Sequence, residues 1–482
     1  MNRLQKHFIV EQPQSLKQNW LALTGLSIVF LFEMLDNSVL TVALPTIGKT
    51  LNASTSSLSL ATSAYSVIFG SLMLLFGSIA DQFSPKKLML SGLALLGVSS
   101  LFVVDVTNIY ELIAVRALMG LAAAMTTPLT LSLTFKLFNS ESLQMRAMTF
   151  ISTVGLVGLS IGPTIGGAVL AVASWEFLIL VNIPIAAVAF LSLYLSLPEW
   201  RNQKSIRKPL DVAGGTFGTL AIVSVLLLLD AAAQYGAISW EFWSLTASAV
   251  LFGAFFVKQE KKSQNPLIPF SLLRLPLVSS GLLYKASTSI ITAGLGYVVM
   301  LQLQLDYHWS PVLAALGLLP QVITLLAVGP LVNKIVERFG NQKASLYSGL
   351  SIIVGMLVYT FGSPISYGWI AVSLILIAAG VRVNGLVAGM SVFRGLPHTH
   401  TSTGSALVDT ISQICAAVSI TVAGAILSAF IPANVFTGKA MESTLIHLQF
   451  HSAITVTGLL LTTAATGLFI WGVIRSKAAH QS

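Results

Sequence analysis

Charge is what this chain has least of. Asp, Glu, Lys and Arg make up 9% of its 482 residues, whereas a soluble domain carries about 25%. With 55% hydrophobic residues and a mean hydropathy of +0.84, no soluble core accounts for the deficit. The chain reads as an integral membrane protein. Cysteine is nearly missing too: Cys415 stands alone in an apolar run, which excludes an intramolecular disulfide. There is no GxxxxGK[ST] phosphate loop, so the chain carries no ATP engine of its own. There is no convincing HExxH or GxSxG motif on which a hydrolase could rest, and an enzyme is not expected. The net charge of +9 does not imply nucleic acid, because the basic residues fall in short clusters between apolar runs and form no basic face. The polar, basic N-terminal stretch lacks a small-residue cleavage site, so it is not a cleavable signal peptide.

Apolar runs of spanning length fill the chain instead. A bilayer crossing takes about 20 mostly apolar residues. Fourteen such runs occur, near 20–44, 57–80, 88–105, 109–132, 147–172, 177–197, 212–232, 240–257, 279–303, 311–333, 344–362, 366–391, 403–430 and 451–474. Placing the N-terminus in the cytoplasm puts 21 of the 26 Lys and Arg residues inside and only Lys49 and Lys439 outside. Arg116, Lys285 and Arg382 remain within spans. Both termini are therefore expected in the cytoplasm.

Two segments resemble each other at a distance of 256 residues: Ile79–Lys87 reads IADQFSPKK and Ile335–Lys343 reads IVERFGNQK. Basic loops between spans look alike by topology, but the shared acid, Phe and terminal Lys favour a true repeat. Spans 1–6 then match spans 9–14, and spans 7 and 8 are an insert. The expected fold is an all-α membrane protein with 14 transmembrane helices, built as two six-helix bundles plus two inserted helices. The expected organisation is a tail at 1–19, a bundle at 20–198, a linker with the inserted helices at 199–276, a second bundle at 277–477 and a tail at 478–482.

The first span is the most informative. It carries Glu33 and Asp36 well inside its apolar run. An acid at the bilayer centre costs about 2.5–3.5 kcal/mol on insertion scales, so it normally serves a function. Arg116 lies about 10 Å and Asp36 about 12 Å from the same side of the membrane by helical rise. These matched depths predict an ion pair, with Glu33 one turn deeper and without an obvious partner. The pair is either a fixed structural element or a proton site that titrates as access alternates. In the second half, Arg382 and Asp409 also share a depth, and a fixed pair bracing the helices or an inner gate is expected. Lys285 is expected to snorkel and Asp230 to reach the interface. Gly158, Gly162 and Gly166 have small-xxx-small spacing for close helix approach, and Pro163 can bend their helix.

In order and spacing, these residues resemble the major facilitator superfamily, specifically its fourteen-helix drug:proton antiporter branch. Leu35–Pro45 is similar to the branch's first-helix motif, and Gly77–Asp81 closing on Lys86-Lys87 to its loop motif. Leu112–Ala124 with Arg116 is similar to the helix-4 motif, Gly158–Gly167 to the antiporter motif of helix 5, and Asn182-Ile183-Pro184 to the start of helix 6. Gln82, Ser84 and Pro85 depart from the Arg, Gly and Arg usual in the loop motif.

The resemblance implies a proton-coupled antiporter that exports amphipathic, expectedly cationic, compounds by alternating access. It would be powered by the proton gradient without a cofactor or metal, and would sit in a bacterial inner membrane. Asp36, Glu33 and Arg116 would couple protons. Glu33, Tyr65, Tyr297, Gln302 and Asn384 would meet substrate, with Tyr284, Gln304, Gln321 and Gln413 as further wall residues. Asp81, Gly158, Gly162, Pro163, Gly166, Gly167, Arg382 and Asp409 would serve gating. The expected partners are the substrate, protons and the lipid bilayer, with no nucleic acid. Some relatives use a periplasmic adaptor, but no residue here indicates one. An exporter of an anionic or zwitterionic metabolite, siderophore or lipid is the alternative, in which Arg116, Arg382 and Lys285 would face the cavity. A non-transporting receptor or scaffold is a more distant one. His398 and His400 have too little around them for a metal site.

Overall fold

The computed structural model describes residues 16–138, 140–199, 211–236, 238–263, 266–268, 270–396, 401–431 and 444–478. Fourteen helices in it are long and apolar enough to cross a membrane, and no strand forms among the described residues. Only a helix satisfies its own backbone hydrogen bonds within one segment in hydrocarbon.

The first six are α1 (Trp20–Thr50), α2 (Thr55–Gln82), α3 (Pro85–Leu101), α4 (Ile109–Leu137), α5 (Glu141–Leu170) and α6 (Glu176–Leu180, then Asn182–Ser196). Next come α7 (Val212–Tyr235) and α8 (Trp240–Lys262). The last six begin with α9 (Pro276–Leu301), which a π turn at Gln302–Asp306 extends. α10 is segmented into Pro311–Leu316, Leu319–Val328 and a 3-10 turn at Gly329–Leu331. It runs on without a loop into Val332–Gly362, a helix broken at Gly340, where φ is +73°. We take Gly340 as the end of α10 and the start of α11. α12 (Tyr367–Gly395), α13 (Thr401–Phe430) and α14 (Thr444–Ala478) complete the set.

The repeat holds in detail. Ser54 caps α2 and Ser310 caps α10, each accepting a hydrogen bond from a backbone N–H three residues on. Ser84 caps α3, and its counterpart 256 residues later is Gly340, which breaks α10 from α11. A positive φ suits glycine, which has no Cβ to clash. α1 likewise maps onto Pro276–Asp306.

In the first half α1 packs on α5 and α6, and α2 and α3 pack on α4. In the second half α9 packs on α12, α13 and α14, and α11 on α12 and α14. The halves meet mainly where α2 lies along α13 and α5 along the start of α10. α7 fits against α2 and α13, while α8 touches α7 and leaves Trp240, Trp243 and Val250 exposed. An all-round apolar exterior is what a lipid-facing helix requires.

Candidate functional site

Fourteen crossings place both described ends on one face of the bundle, here the terminal face. At the opposite face the halves are closed. The Tyr297 hydroxyl on α9 donates to the Thr55 carbonyl of α2 at 2.6 Å, and the Gln304 amide donates to the Val42 carbonyl of α1 at 2.9 Å. Gly167 of α5 abuts α10 so closely that a Cβ there would sit 2.8 Å from the Val312 Cα. Beneath these contacts a cavity of about 810 Å³ lies between the halves. Met34, Ser38 and Thr41 of α1, Ser66 of α2 and Pro163 of α5 form one wall. Lys285, Ser289 and Tyr297 of α9, Gln321 of α10, Arg382 of α12, and Ser412 and Gln413 of α13 form the other. Its charged lining residues are Lys285 and Arg382, and no described carboxylate lines it.

The acids of α1 lie behind this wall. Arg116 Nη1 of α4 donates to Asp36 Oδ2 at 2.6 Å, with the side chains 1% and 4% exposed, so the pair expected from matched depth is present. The guanidinium also stacks over the Tyr65 ring, 4.6 Å from its centroid, and its Nε has no hydrogen-bond partner. Glu33 accepts from the Thr127 hydroxyl of α4 at 2.8 Å, a partner that sequence reasoning missed. Depth could not have found it: Thr127 lies eleven residues beyond Arg116 on α4, whereas Glu33 lies three from Asp36 on α1.

Several expected positions are corrected. Of the residues expected to bind substrate, Tyr297 lines the cavity, but Glu33, Tyr65, Gln302 and Asn384 do not. Tyr65 is fully buried beneath Arg116. Gln302 accepts from the Tyr359 hydroxyl at 2.8 Å, and Asn384 lies between Ser345 and the Tyr284 carbonyl, each at 3.5 Å. Their amides are satisfied between helices. Arg382 and Asp409 form no ion pair: Arg382 lies beside Gly329 of α10, and the cation acting on Asp409 is Lys285. Depth matched for Arg382 and Asp409, but α12 and α13 each pack far more on α9 than on each other.

Lys285 lines the cavity and does not snorkel away from it. Asp230 is buried, held by the hydroxyl of Ser56 and by the Gln234 amide at 2.8 Å, and so ties α7 to α2. Gly158, Gly162 and Gly166 pack against Leu31, Ser38 and Val39 of α1 within one bundle, and Gly167 alone of this series meets the other half. Pro163 lines the cavity. The side chain of Asp81, like His398 and His400, lies outside the described residues. Lys86 of the same loop donates to the Tyr194 and Leu197 carbonyls at 2.8 and 2.6 Å, neutralising the C-terminal end of α6.

Two matching helical halves, closed over a cavity between them, with a charge pair buried in the helix core, define a membrane transporter. The chain belongs to the Major Facilitator Superfamily, whose model matches residues 26–420. It is 26% identical over 426 residues, 88% of each chain, to "Putative multidrug resistance protein MdtD" of Salmonella paratyphi A. The protein of that name from Salmonella typhi is 26% identical over 416 residues, 86% of each chain. Among solved structures, a bacterial homologue of the human lysosomal transporter Spinster, in an inward-facing and unoccupied conformation, superposes with a TM-score of 0.69. It is 14% identical and covers 95% of this chain and 97% of its own. The peptide transporter POT in complex with sulfate gives 0.63 at 14% identity, covering 93% and 95%.

Proposed function

We propose that this transporter is a proton-coupled exporter of amphipathic compounds, seated in a bacterial inner membrane with both termini in the cytoplasm. The terminal face is then the cytoplasmic one, in keeping with the excess of Lys and Arg expected there. A cavity on the cytoplasmic side of a closed outer face supports reading this conformation as inward-facing. The observation that carries the coupling is the Asp36–Arg116 pair, almost sealed from solvent at 2.6 Å. Protonation from outside neutralises Asp36 and loosens α1 from α4, and release to the cytoplasm restores the pair. The energy source is the proton gradient, with no bound cofactor.

The cargo reading changes with the cavity. A cationic compound was expected, but the walls present Lys285, Arg382, hydroxyls and amides, and no described acid. This lining supports an amphiphile with an anionic or zwitterionic head, its apolar part lying against Met34, Val322 and Ile420. A cationic cargo remains the second reading, because Glu33 and Asp409 are carried by α1 and α13, two helices that also line the cavity. Proteoliposomes with an imposed pH gradient and a panel of matched amphiphiles, identical but for an anionic, zwitterionic or cationic head, test both. Gradient-driven movement of the anionic or zwitterionic members is expected. Movement of the cationic members alone sinks the anionic reading, and movement independent of the gradient sinks the coupling.

A further inference from the structure

Away from the cavity, at the opposite face, three metal-ligating side chains converge. Asp306 ends the π turn of α9, and His447 and His451 stand one turn apart at the start of α14. Asp306 Oδ1 lies 2.7 Å from His447 Nδ1, and Asp306 Oδ2 lies 3.2 Å from His451 Nε2. The two imidazole centroids are 4.2 Å apart, and one ligand atom from each of the three residues lies within 4.8 Å of the others. We propose that Asp306, His447 and His451 form a site for a borderline divalent transition-metal ion of the zinc class.

Two histidines four residues apart share one helix face, so both can ligate one ion. Zinc takes nitrogen and carboxylate oxygen at about 2.0–2.2 Å in a tetrahedron, which separates its ligand atoms by about 3.3 Å. The distances to Asp306, 2.7 and 3.2 Å, fall just short of that value, so small outward side-chain shifts seat the ion. Three protein ligands leave a fourth position for water, and the 49% exposure of the His447 side chain gives an entry path. The carboxylate is already oriented: the Asp306 side chain is 3% exposed and takes the Gln302 amide at 3.4 Å, while Gln302 is held by Tyr359. Such outer-shell support is what a metal-ligating carboxylate needs. Nitrogen ligands also select against magnesium and calcium, which prefer all-oxygen sites. The site joins α9 to α14 within one half and is independent of the transport reading.

The test is calorimetric titration of ZnCl₂ into the full-length protein, without a histidine tag and freed of metal, in detergent. One zinc per chain is expected, with no comparable heat from MgCl₂ or CaCl₂. His447→Ala and His451→Ala are each expected to weaken that binding by at least about tenfold. Because His447 is half-exposed, its loss leaves the fold intact, and matched thermal unfolding of the metal-free proteins checks this. Cobalt(II) is expected to give the visible absorption of a tetrahedral site, absent in His447→Ala. Zinc binding unchanged in both variants, or no saturable binding to the wild type, overturns the proposal and leaves a hydrogen-bonded His–Asp cluster.

Discussion

Asp36→Asn discriminates a working proton site from a packing device. Arg116 is 1% exposed, and its one ionic partner among the described residues is Asp36 at 2.6 Å. Removing one charge from a buried pair leaves the other uncompensated and costs about 3–5 kcal/mol. The Tyr65 face, 4.6 Å from the guanidinium, offsets only part of this, since a desolvated cation–π contact is worth about 2 kcal/mol. Asp36→Asn is therefore expected to lower the midpoint of thermal unfolding in detergent. Neutralising both members, Asp36→Asn with Arg116→Gln, removes the stranded charge, and stability is expected to return toward wild type, because neutral replacements of buried pairs are often tolerated. The double variant is then a folded protein without a titrating group at this position. In proteoliposomes it is expected to bind substrate but not to accumulate it against a gradient when a pH difference is imposed. Gradient-driven accumulation at the wild-type level by this double variant refutes Asp36 as the coupling site. A single Asp36→Asn variant as stable as wild type refutes the energetic argument itself.

Two more predictions follow from contacts around the cavity. Arg382→Gln and Lys285→Gln each remove a charge-assisted contact worth about 1.5–3 kcal/mol, so KM for anionic-headed substrates is expected to rise about 10–150-fold while neutral analogues are little affected; equal changes for both classes would argue against a role in recognising charge. Gly167→Ala drives a Cβ to 2.8 Å from the Val312 backbone across the two halves, whereas Gly166→Ala meets the Val39 side chain at 3.3 Å within one bundle. Only the first is expected to loosen the closed face, read as faster labelling of Thr41→Cys in a Cys415→Ser background by an impermeant maleimide from that side.

The amino-acid sequence carried the membrane class, the span number and the internal repeat, because span length and charge bias are one-dimensional properties written along the chain. Depth is one-dimensional too, and it paired Asp36 with Arg116. It failed for Arg382 and Asp409 because α12 and α13 each pack far more on α9 than on each other, and which helices become neighbours is not written along the chain. The same blindness sent Tyr65, Gln302 and Asn384 to the cavity wall. A polar residue on a span has two ways to be satisfied, by a cavity or by a neighbouring helix, and all three contact neighbouring helices. Lys285 was misplaced for the converse reason: proximity to a helix end suggested snorkelling, yet its helix turns it inward. The histidines of the metal site have legible spacing, HLQFH, but their third ligand is 145 residues from His451, in a π turn that no local pattern announces.

The rotational setting of α1 would let one helix serve both tasks of the proposed mechanism. Met34, Ser38 and Thr41 line the cavity and recur at the spacing of a single helix face. At about 100° per residue, Glu33 lies roughly a quarter turn from the centre of that face and Asp36 nearly opposite it. α1 therefore turns one side to the cavity and keeps its acids away from it, bonded to Arg116 and Thr127 of α4. On the proposed coupling, a proton arriving at Asp36 need not meet the cargo to affect it. It would weaken the hold of α4 on the rear of α1, and a stiff helix would carry that change to its front. Direct competition between proton and cation at one carboxylate is not required, which is why a cavity walled by Lys285 and Arg382 is compatible with proton coupling. The two acids also differ in what they can signal. Asp36 holds an arginine and changes the α1–α4 attraction by a full charge, whereas Glu33 accepts from the Thr127 hydroxyl, which can bond it in either protonation state. The larger mechanical consequence belongs to Asp36.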